Sequence, residues 1–427
     1  MEEGEDRQKT DPSNFKLRQC RPSRFLTAGN SVYEDGMTVL ITDTAGLEAF
    51  CRSLAGAPYV TVDTEFMRDK TYWPRLCLVQ VAGPAAAVAI DPLAPGIDLT
   101  PLYALMRDPA ILKVFHAARQ DIEIFYNATA NVPAPIFDTQ VAAMVCGFGE
   151  SASYETLAAK LAGAQIDKTS RFTDWSHRPL TERQLKYAIA DVAHLRMVYD
   201  KLSAQLDGSS RHGWLDEEMA VLNDPATYRL DPVNAWKRLK VRSNNRRMLA
   251  LVRELAAWRE TAAQQRDLPR SRIIRDEALL EIAAHAPGSV DELARTRGLG
   301  RGFAEGRLGG EVLAVVARVG KLPESEYPLP APRHELPQGI GPLVELLRVL
   351  LKLRCEEHHV AAKLVADSED LEMIAADDAA PVRALHGWRA EIFGKDAVDL
   401  KHGRLALTAA GKRIKLVRTT APVAAAP

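Results

Sequence analysis

The chain has 427 residues, 47% of them hydrophobic, with a formal net charge of −1 and five cysteines. That length and apolar content suit two to four domains with real cores. The near-zero charge excludes a uniformly basic, polyanion-coating protein, and an odd number of cysteines without a Cys-x-x-Cys pair (Cys20, Cys51, Cys77, Cys146, Cys355) argues for a reducing compartment rather than a disulfide framework or structural zinc.

Residues 1–35 are polar, show little periodicity and read as a disordered tail. MEEGEDRQKTDPSNFKLRQC has no apolar signal-peptide stretch, and no run approaches the ~18 apolar residues of a membrane span, so a soluble cytoplasmic protein without membrane contact is expected. From Gly36 the texture changes. MTVLIT (37–42) predicts a strand and TAGLEAFCRSLAG (44–56) a helix. YVTVDTEF, RLCLVQVAG (75–83) and AAVAID (86–91) follow as strands, LYALMRD (102–108) as a helix and ILKVFHA (111–117) as a strand, with helical segments from there to about Asp207. Strands first, then alternation with helices, implies a mixed sheet flanked by helices.

Tyr228–Arg275 is basic, with 13 Lys/Arg against 4 Asp/Glu, and contains a helix from about Arg246 to Arg266. PRSRIIRDEALLEIAAHAP (269–287) continues the helical pattern, and SVDELARTRGLG (289–300) is a short helix behind a capping serine. Residues 321–342 hold six prolines and read as a linker. A second all-helical unit spans Leu343 to about Leu407, and the remainder reads as a tail.

The chemistry starts in VTVDTEFM. Asp63 and Glu65 lie two apart on a strand, so both carboxylates face one way. Asp121 sits just after the strand ILKVFHA, near a helix start, and Tyr187 and Asp191 lie four apart on a helix and share a face. Carboxylates brought together need a counter-charge, and hard divalent cations supply it. Two such ions about 4 Å apart stabilise both the attacking and the leaving oxygen of an in-line phosphoryl displacement. In that scheme Asp63 bridges both metals, Glu65 and Asp191 complete the first, Asp121 supports the second partly through water, and Tyr187 aims the attacking water.

The order Asp-x-Glu, then Asp, then Tyr-x₃-Asp resembles the tyrosine-bearing branch of the DEDD exonuclease superfamily. DTEFMRDKTYWPRLCLVQVA, FHAARQDIEIF, FDTQVAAMVCGFGESASYETL and DWSHRPLTERQLKYAIADVAHL are similar to the bacterial ribonuclease D family over roughly Gly36 to Gly213. LVRELAAWRETAAQQRDLPRSRIIRDEALLEIAAHAP resembles an HRDC domain, and AAKLVADSEDLEMIA with LHGWRAEIFG resembles a second. The resemblance implies an α/β ribonuclease H-like exonuclease domain followed by two all-α HRDC-type domains. The expected division is a tail (1–35), exonuclease domain (36–215), basic connector (216–244), first HRDC domain (245–320), Pro-rich linker (321–342), second HRDC-like domain (343–410) and tail (411–427). The implied activity is 3′→5′ exoribonucleolytic release of 5′-mononucleotides from tRNA precursors and other structured RNA, with two divalent cations (Mg²⁺ or Mn²⁺) and a monomeric chain. Asp63, Glu65, Asp121 and Asp191 carry over as metal ligands and Tyr187 as the water-orienting residue.

Other residues have two readings. Phe66 and Met67 either contact bases or pack in the core, and Arg68, Tyr72, Trp73 and Arg75 either grip RNA or serve ordinary packing. Lys237, Arg238, Lys240, Arg242, Arg246 and Arg247, within eleven residues, read as a phosphate-contacting stretch. Asp138 reads as a helix cap, His116 as a structural histidine and Glu123 as a solvated charge. Asp370, Asp377 and Asp378 make the second helical unit less suited to RNA than the first. Two rival functions share the residues: a DNA exonuclease, and an RNA-binding protein that retains the carboxylates without catalysis.

Overall fold

The computed structural model describes residues 39–330 and 336–419; the expected N-terminal tail and the last eight residues lie outside the described residues. The first part of the chain runs β1 (Val39–Ile41), α1 (Thr44–Ser53), β2 (Tyr59–Met67), β3 (Arg75–Ala82), β4 (Ala87–Ile90), α2 (Thr100–Arg107), β5 (Leu112–Phe115), α3 (Arg119–Thr129), β6 (Ile136–Asp138), α4 (Thr139–Val145), α5 (Tyr154–Leu157), α6 (Glu182–Ser209) and α7 (His212–Asn223). The six strands form one mixed sheet in the order β1-β4-β3-β2-β5-β6. β2 is central, antiparallel to β3 and parallel to β5.

Alternation along β2 decides which side chains meet which layer. Val60 and Val62 pack with Leu47, Phe50, Leu102, Ile122 and Phe125 from α1, α2 and α3 on one face. Thr61, Asp63 and Glu65 point to the other face, under α6, where the Thr61 hydroxyl donates to the Val192 carbonyl at 2.8 Å. Beyond Glu65 the ladder slips: Glu65 faces Leu78 but Phe66 faces Leu76, a bulge that leaves Cys77 unpaired.

The helical part comprises α8 (Arg246–Arg266), α9 (Arg270–Ile273), α10 (Asp276–His285), α11 (Val290–Leu293), α12 (Arg301–Glu305) and α13 (Arg307–Val319), then α14 (Gly341–Glu357), α15 (Ala362–Val365), α16 (Ser368–Ala376), α17 (Gly387–Arg389) and α18 (Lys395–Lys401). Leu251, Leu255, Leu279, Ile282, Val312 and Val315 form the core of the first group. As expected, Ser289 caps the short α11, its hydroxyl accepting from the Glu292 amide. The second group shares a core with α6, where Leu202 and Leu206 join Val344 and Leu347. Trp214 of α7 stacks on Trp388 at 4.3 Å, and the buried Arg389 donates to Glu217 and Glu218.

Three expectations are corrected. β6 falls where the sequence predicts helical segments; at three residues it is too short to show a period, and it is defined by pairing to β5. The segment from 216 begins inside α7 rather than in a connector. The last unit is not all-helical, because β7 (Leu405–Ala410) and β8 (Arg413–Arg418) form a hairpin across residues read in part as a tail. Its two-residue turn starts at Gly411, whose φ of +62° suits the twist of a tight hairpin. Alanines in β7 blunt the alternation that marks a strand. The Pro-rich segment is pinned where it is described: Arg246 donates to the carbonyls of Glu324 and Tyr327 at 2.9 and 3.0 Å, and Arg253 to that of Glu326 at 3.0 Å.

Candidate active site

Three of the predicted acids converge. Carboxylate oxygens of Asp63, Glu65 and Asp191 lie within 4.8 Å of one another. β2 supplies the first two and α6, crossing the same sheet face, the third. Asp121 stands outside that trio but close enough for its charge to act on Glu65, and for that of Asp63 to act on it. It comes from the first turn of α3, where the Thr64 hydroxyl, on the opposite face of β2, donates to its carboxylate. Tyr187, one turn before Asp191, donates its phenol to the Asp191 carboxylate.

The electrostatics are those of a crowded anionic site. Burial pushes the Asp63 carboxyl up to about 6, and burial together with the charges of Asp63, Asp191 and Asp121 pushes Glu65 up to about 10. Asp121 and Asp191 are likewise held well above the carboxylate range, by burial first and Asp63 second. Burial and the Asp191 charge raise the Tyr187 phenol, so it stays a hydrogen-bond donor. Opposite Asp63 in the β2–β3 ladder, Gln80 is fully buried and neither atom of its side-chain amide has a protein partner. An all-oxygen donor set with repelling charges and an unsatisfied buried amide beside it fits hydrated, hard divalent cations.

Asp138 is a cap, and more. Its carboxylate accepts from the amides of Ala117 (3.0 Å), Ala118 (2.8 Å) and Gln140 (2.8 Å). The first two belong to the β5–α3 turn, in which Ala117 has φ +57°. Asp138 therefore holds the turn from which α3 presents Asp121. Replacing Asp138 with alanine leaves three backbone donors without this acceptor. The expected result is a loss of about 2–3 kcal/mol of stability in denaturant titrations, with an activity loss on the order of ten-fold that Asp138→Asn partly restores. His116 is structural, as expected: its Nδ1 lies 2.9 Å from the Thr139 hydroxyl, and burial lowers its pKa to about 4.

Several proposed RNA contacts are spoken for. Tyr72 is buried; it donates to Glu260 and accepts from Gln264 and Arg270 at the boundary with α8 and α9. Arg68 makes a two-pronged pair with Glu123 at 2.8 and 3.0 Å, so Glu123 is not a solvated charge. Met67 packs against the small core cluster that contains Cys77, Leu78 and Trp175, and Phe66 is half-buried. Arg246 ties down the Pro-rich segment, and Arg238 lies 3.9 Å from Glu260. Arg75, Lys237, Lys240, Arg242 and Arg247 are exposed. Sequence reasoning missed two residues at the site. Tyr154 donates to the Ala190 carbonyl at 2.9 Å and feels the charges of Asp191 and Asp63. Arg171 exerts its positive charge on Glu65 and Asp191. Neither sits in a recognisable spacing.

A protein-family profile described as 3′–5′ exonuclease matches residues 38–207, and one described as HRDC domain matches 248–316. A ribonuclease D of Granulibacter bethesdensis is 53% identical over 381 residues, covering 89% of this chain and 96% of that protein. The chain belongs to the ribonuclease D family. Another ribonuclease D, of Acidiphilium cryptum, is 53% identical over 89% of the chain and 97% of its own length. The crystal structure of Escherichia coli RNase D, titled an exoribonuclease involved in structured RNA processing, matches at 30% identity with a TM-score of 0.74, over 86% of this chain and 98% of that one. As a ribonuclease D, the chain is a 3′–5′ exoribonuclease, a phosphodiester hydrolase with an exonuclease domain of mixed sheet and helices followed by a helical HRDC domain.

Proposed function

We propose that this ribonuclease D trims the 3′ ends of tRNA precursors and other structured RNAs in the cytoplasm, as a monomer, releasing 5′-mononucleotides. The observation that carries the chemistry is the convergence of Asp63, Glu65 and Asp191, with Tyr187 hydrogen-bonded to Asp191. Asp63, Glu65, Asp121 and Asp191 would hold two divalent cations, Mg²⁺ or Mn²⁺, which would neutralise the carboxylates and supply an activated water and charge stabilisation at the leaving oxygen. Tyr187 orients the attacking water; its raised pKa keeps it a donor rather than a base. Thr64 and the Asp138-held turn keep Asp121 in place. The sequence of HRDC-like units after the nuclease, without an acid cluster among their described residues, suits binding and positioning of RNA.

The test is a 5′-labelled RNA with a single-stranded 3′ tail, incubated with Mg²⁺, with Mn²⁺ and with chelator, beside Asp191→Ala. A ladder shortening by single nucleotides, lost with chelator and with the substitution, is expected; intact RNA in every lane overturns the reading. A matched DNA oligonucleotide separates it from a DNA exonuclease. The exposed cations Lys237, Lys240 and Arg247 contact phosphates in this reading. Their triple alanine variant is expected to lower the slope of log affinity against log salt by about 2, since each phosphate contact contributes roughly 0.7 on a single strand. An unchanged slope assigns these charges to solvation alone.

A further inference from the structure

Between Ser170 and Thr173 the chain makes a β-turn, the Thr173 amide donating to the Ser170 carbonyl at 3.2 Å and the Thr173 hydroxyl to the same oxygen at 2.8 Å. Both ends are fixed. Ser170 is buried, and the Thr173 hydroxyl accepts from Gln184 Nε2 at 3.1 Å, where Gln184 belongs to the capping box that opens α6. Two residues further on, Trp175 is buried with its ring 6.1 Å from that of Tyr187. The turn is thereby held at the end of α6 that carries Tyr187 and Asp191.

Its two central residues are treated differently. Phe172 is 89% exposed, more than any other large apolar side chain among the described residues. The Arg171 guanidinium lies over its ring, 5.3 Å from the centroid, and Arg171 is also exposed. A single exposed apolar residue needs no explanation. An aromatic on a turn anchored at both ends, paired with a cation whose field reaches the catalytic carboxylates, is a different arrangement.

We propose that Arg171 and Phe172 form a clamp for the 3′-terminal nucleotide of the RNA, Phe172 stacking on its base and Arg171 pairing with a backbone phosphate. The clamp rests on the exonucleolytic reading of the acid cluster. Its chemistry matches the task. An enzyme that removes one nucleotide after another must accept every base, and an aromatic face does so because every base presents a π-face. The planar guanidinium meets a phosphate with two donors.

The experiment uses the full chain carrying Asp63→Asn, so that bound RNA persists, and fluorescence anisotropy with a single-stranded RNA in Mg²⁺ buffer. Phe172→Ala and Phe172→Leu are each expected to weaken binding roughly ten-fold, whereas Phe172→Trp binds like the parent. An RNA with an abasic 3′-terminal position loses the same factor against the parent and nothing further against Phe172→Ala, the coupling that marks direct contact. Arg171→Ala reduces the salt slope by roughly 0.7. Binding by Phe172→Ala within two-fold of the parent, or an abasic penalty that survives that substitution, overturns the clamp. If Asp63→Asn still shortens the RNA, the acid-cluster reading fails and the clamp with it. If it is inert and Phe172→Ala binds normally, the clamp alone fails.

Discussion

Asp63→Asn is expected to slow nucleotide release by about 10³-fold or more while leaving RNA affinity within a few-fold of the parent. Asparagine keeps the shape of the side chain and removes the charge at the centre of the cluster, where Asp63 shares a 4.8 Å neighbourhood with Glu65 and Asp191 and acts on Asp121. Cation stabilisation of the transition state supplies several kcal/mol, and each 1.36 kcal/mol is ten-fold in rate. The same substitution is expected to move stability the opposite way. In chelator the buried Asp63 carboxyl, pushed up to about 6, costs free energy to ionise near neutral pH, and its charge opposes ionisation of Glu65, Asp121 and Asp191; asparagine removes both costs, so urea denaturation of the chelated variant shifts to higher denaturant. Full activity in the variant would place the chemistry elsewhere. A lower denaturation midpoint would mean that Asp63 is held by contacts other than those seen.

The second large effect is on stability. Glu260, on α8, is 2% exposed and receives two hydrogen bonds from Arg270 at 2.5 Å, with the Tyr72 hydroxyl as a third donor. Arg270 also lies over the Tyr72 ring at 4.8 Å, and Asp267 at the end of α8 accepts from the amides of Tyr72 and Trp73, both at 3.0 Å. The loop that follows the catalytic strand is thus fastened to the HRDC domain. Glu260→Ala leaves Arg270 and the buried Tyr72 hydroxyl without their acceptor. Breaking a buried pair in this way costs 3–5 kcal/mol, and because Arg270 is one-third exposed and regains water, about 3 kcal/mol is expected from denaturant titration near neutral pH. Burial by itself would raise the Glu260 pKa, but the hydrogen bonds from Arg270 and Tyr72 outweigh it and hold the carboxyl below the usual glutamate value. A depressed acid stabilises the fold above its unfolded pKa, and that contribution fades as pH falls from the ordinary glutamate range through the folded value. The gap between parent and Glu260→Ala is therefore expected to narrow in acid. A gap that is absent at neutral pH would show that the pair contributes nothing net, and one that stays constant into acid would show that its contribution does not depend on the Glu260 charge.

The period of the apolar residues made β1 to β5, α1 and α8 legible, because each is long or β-branched enough to display it locally. The site acids were legible too, since Asp-x-Glu on a strand and Tyr-x₃-Asp on a helix place side chains on one face by local geometry alone, and the flanking text carried the family. β6 and the β7–β8 hairpin escaped, being respectively too short and too rich in alanine for local pattern to outweigh pairing.

Local pattern thus picked out the candidate acids and the elements that present them, and the fold brings Asp63, Glu65 and Asp191 together. The roles of side chains whose partners lie far away in the chain follow from packing. Tyr72 and Arg68 have the composition of an RNA grip, yet one meets Glu260, 188 residues on, and the other Glu123, 55 residues on. Asp138 likewise acts on a turn twenty residues upstream. A charge or a phenol has the same chemistry free or paired; its partner is set by how distant elements pack, and no local spacing encodes that.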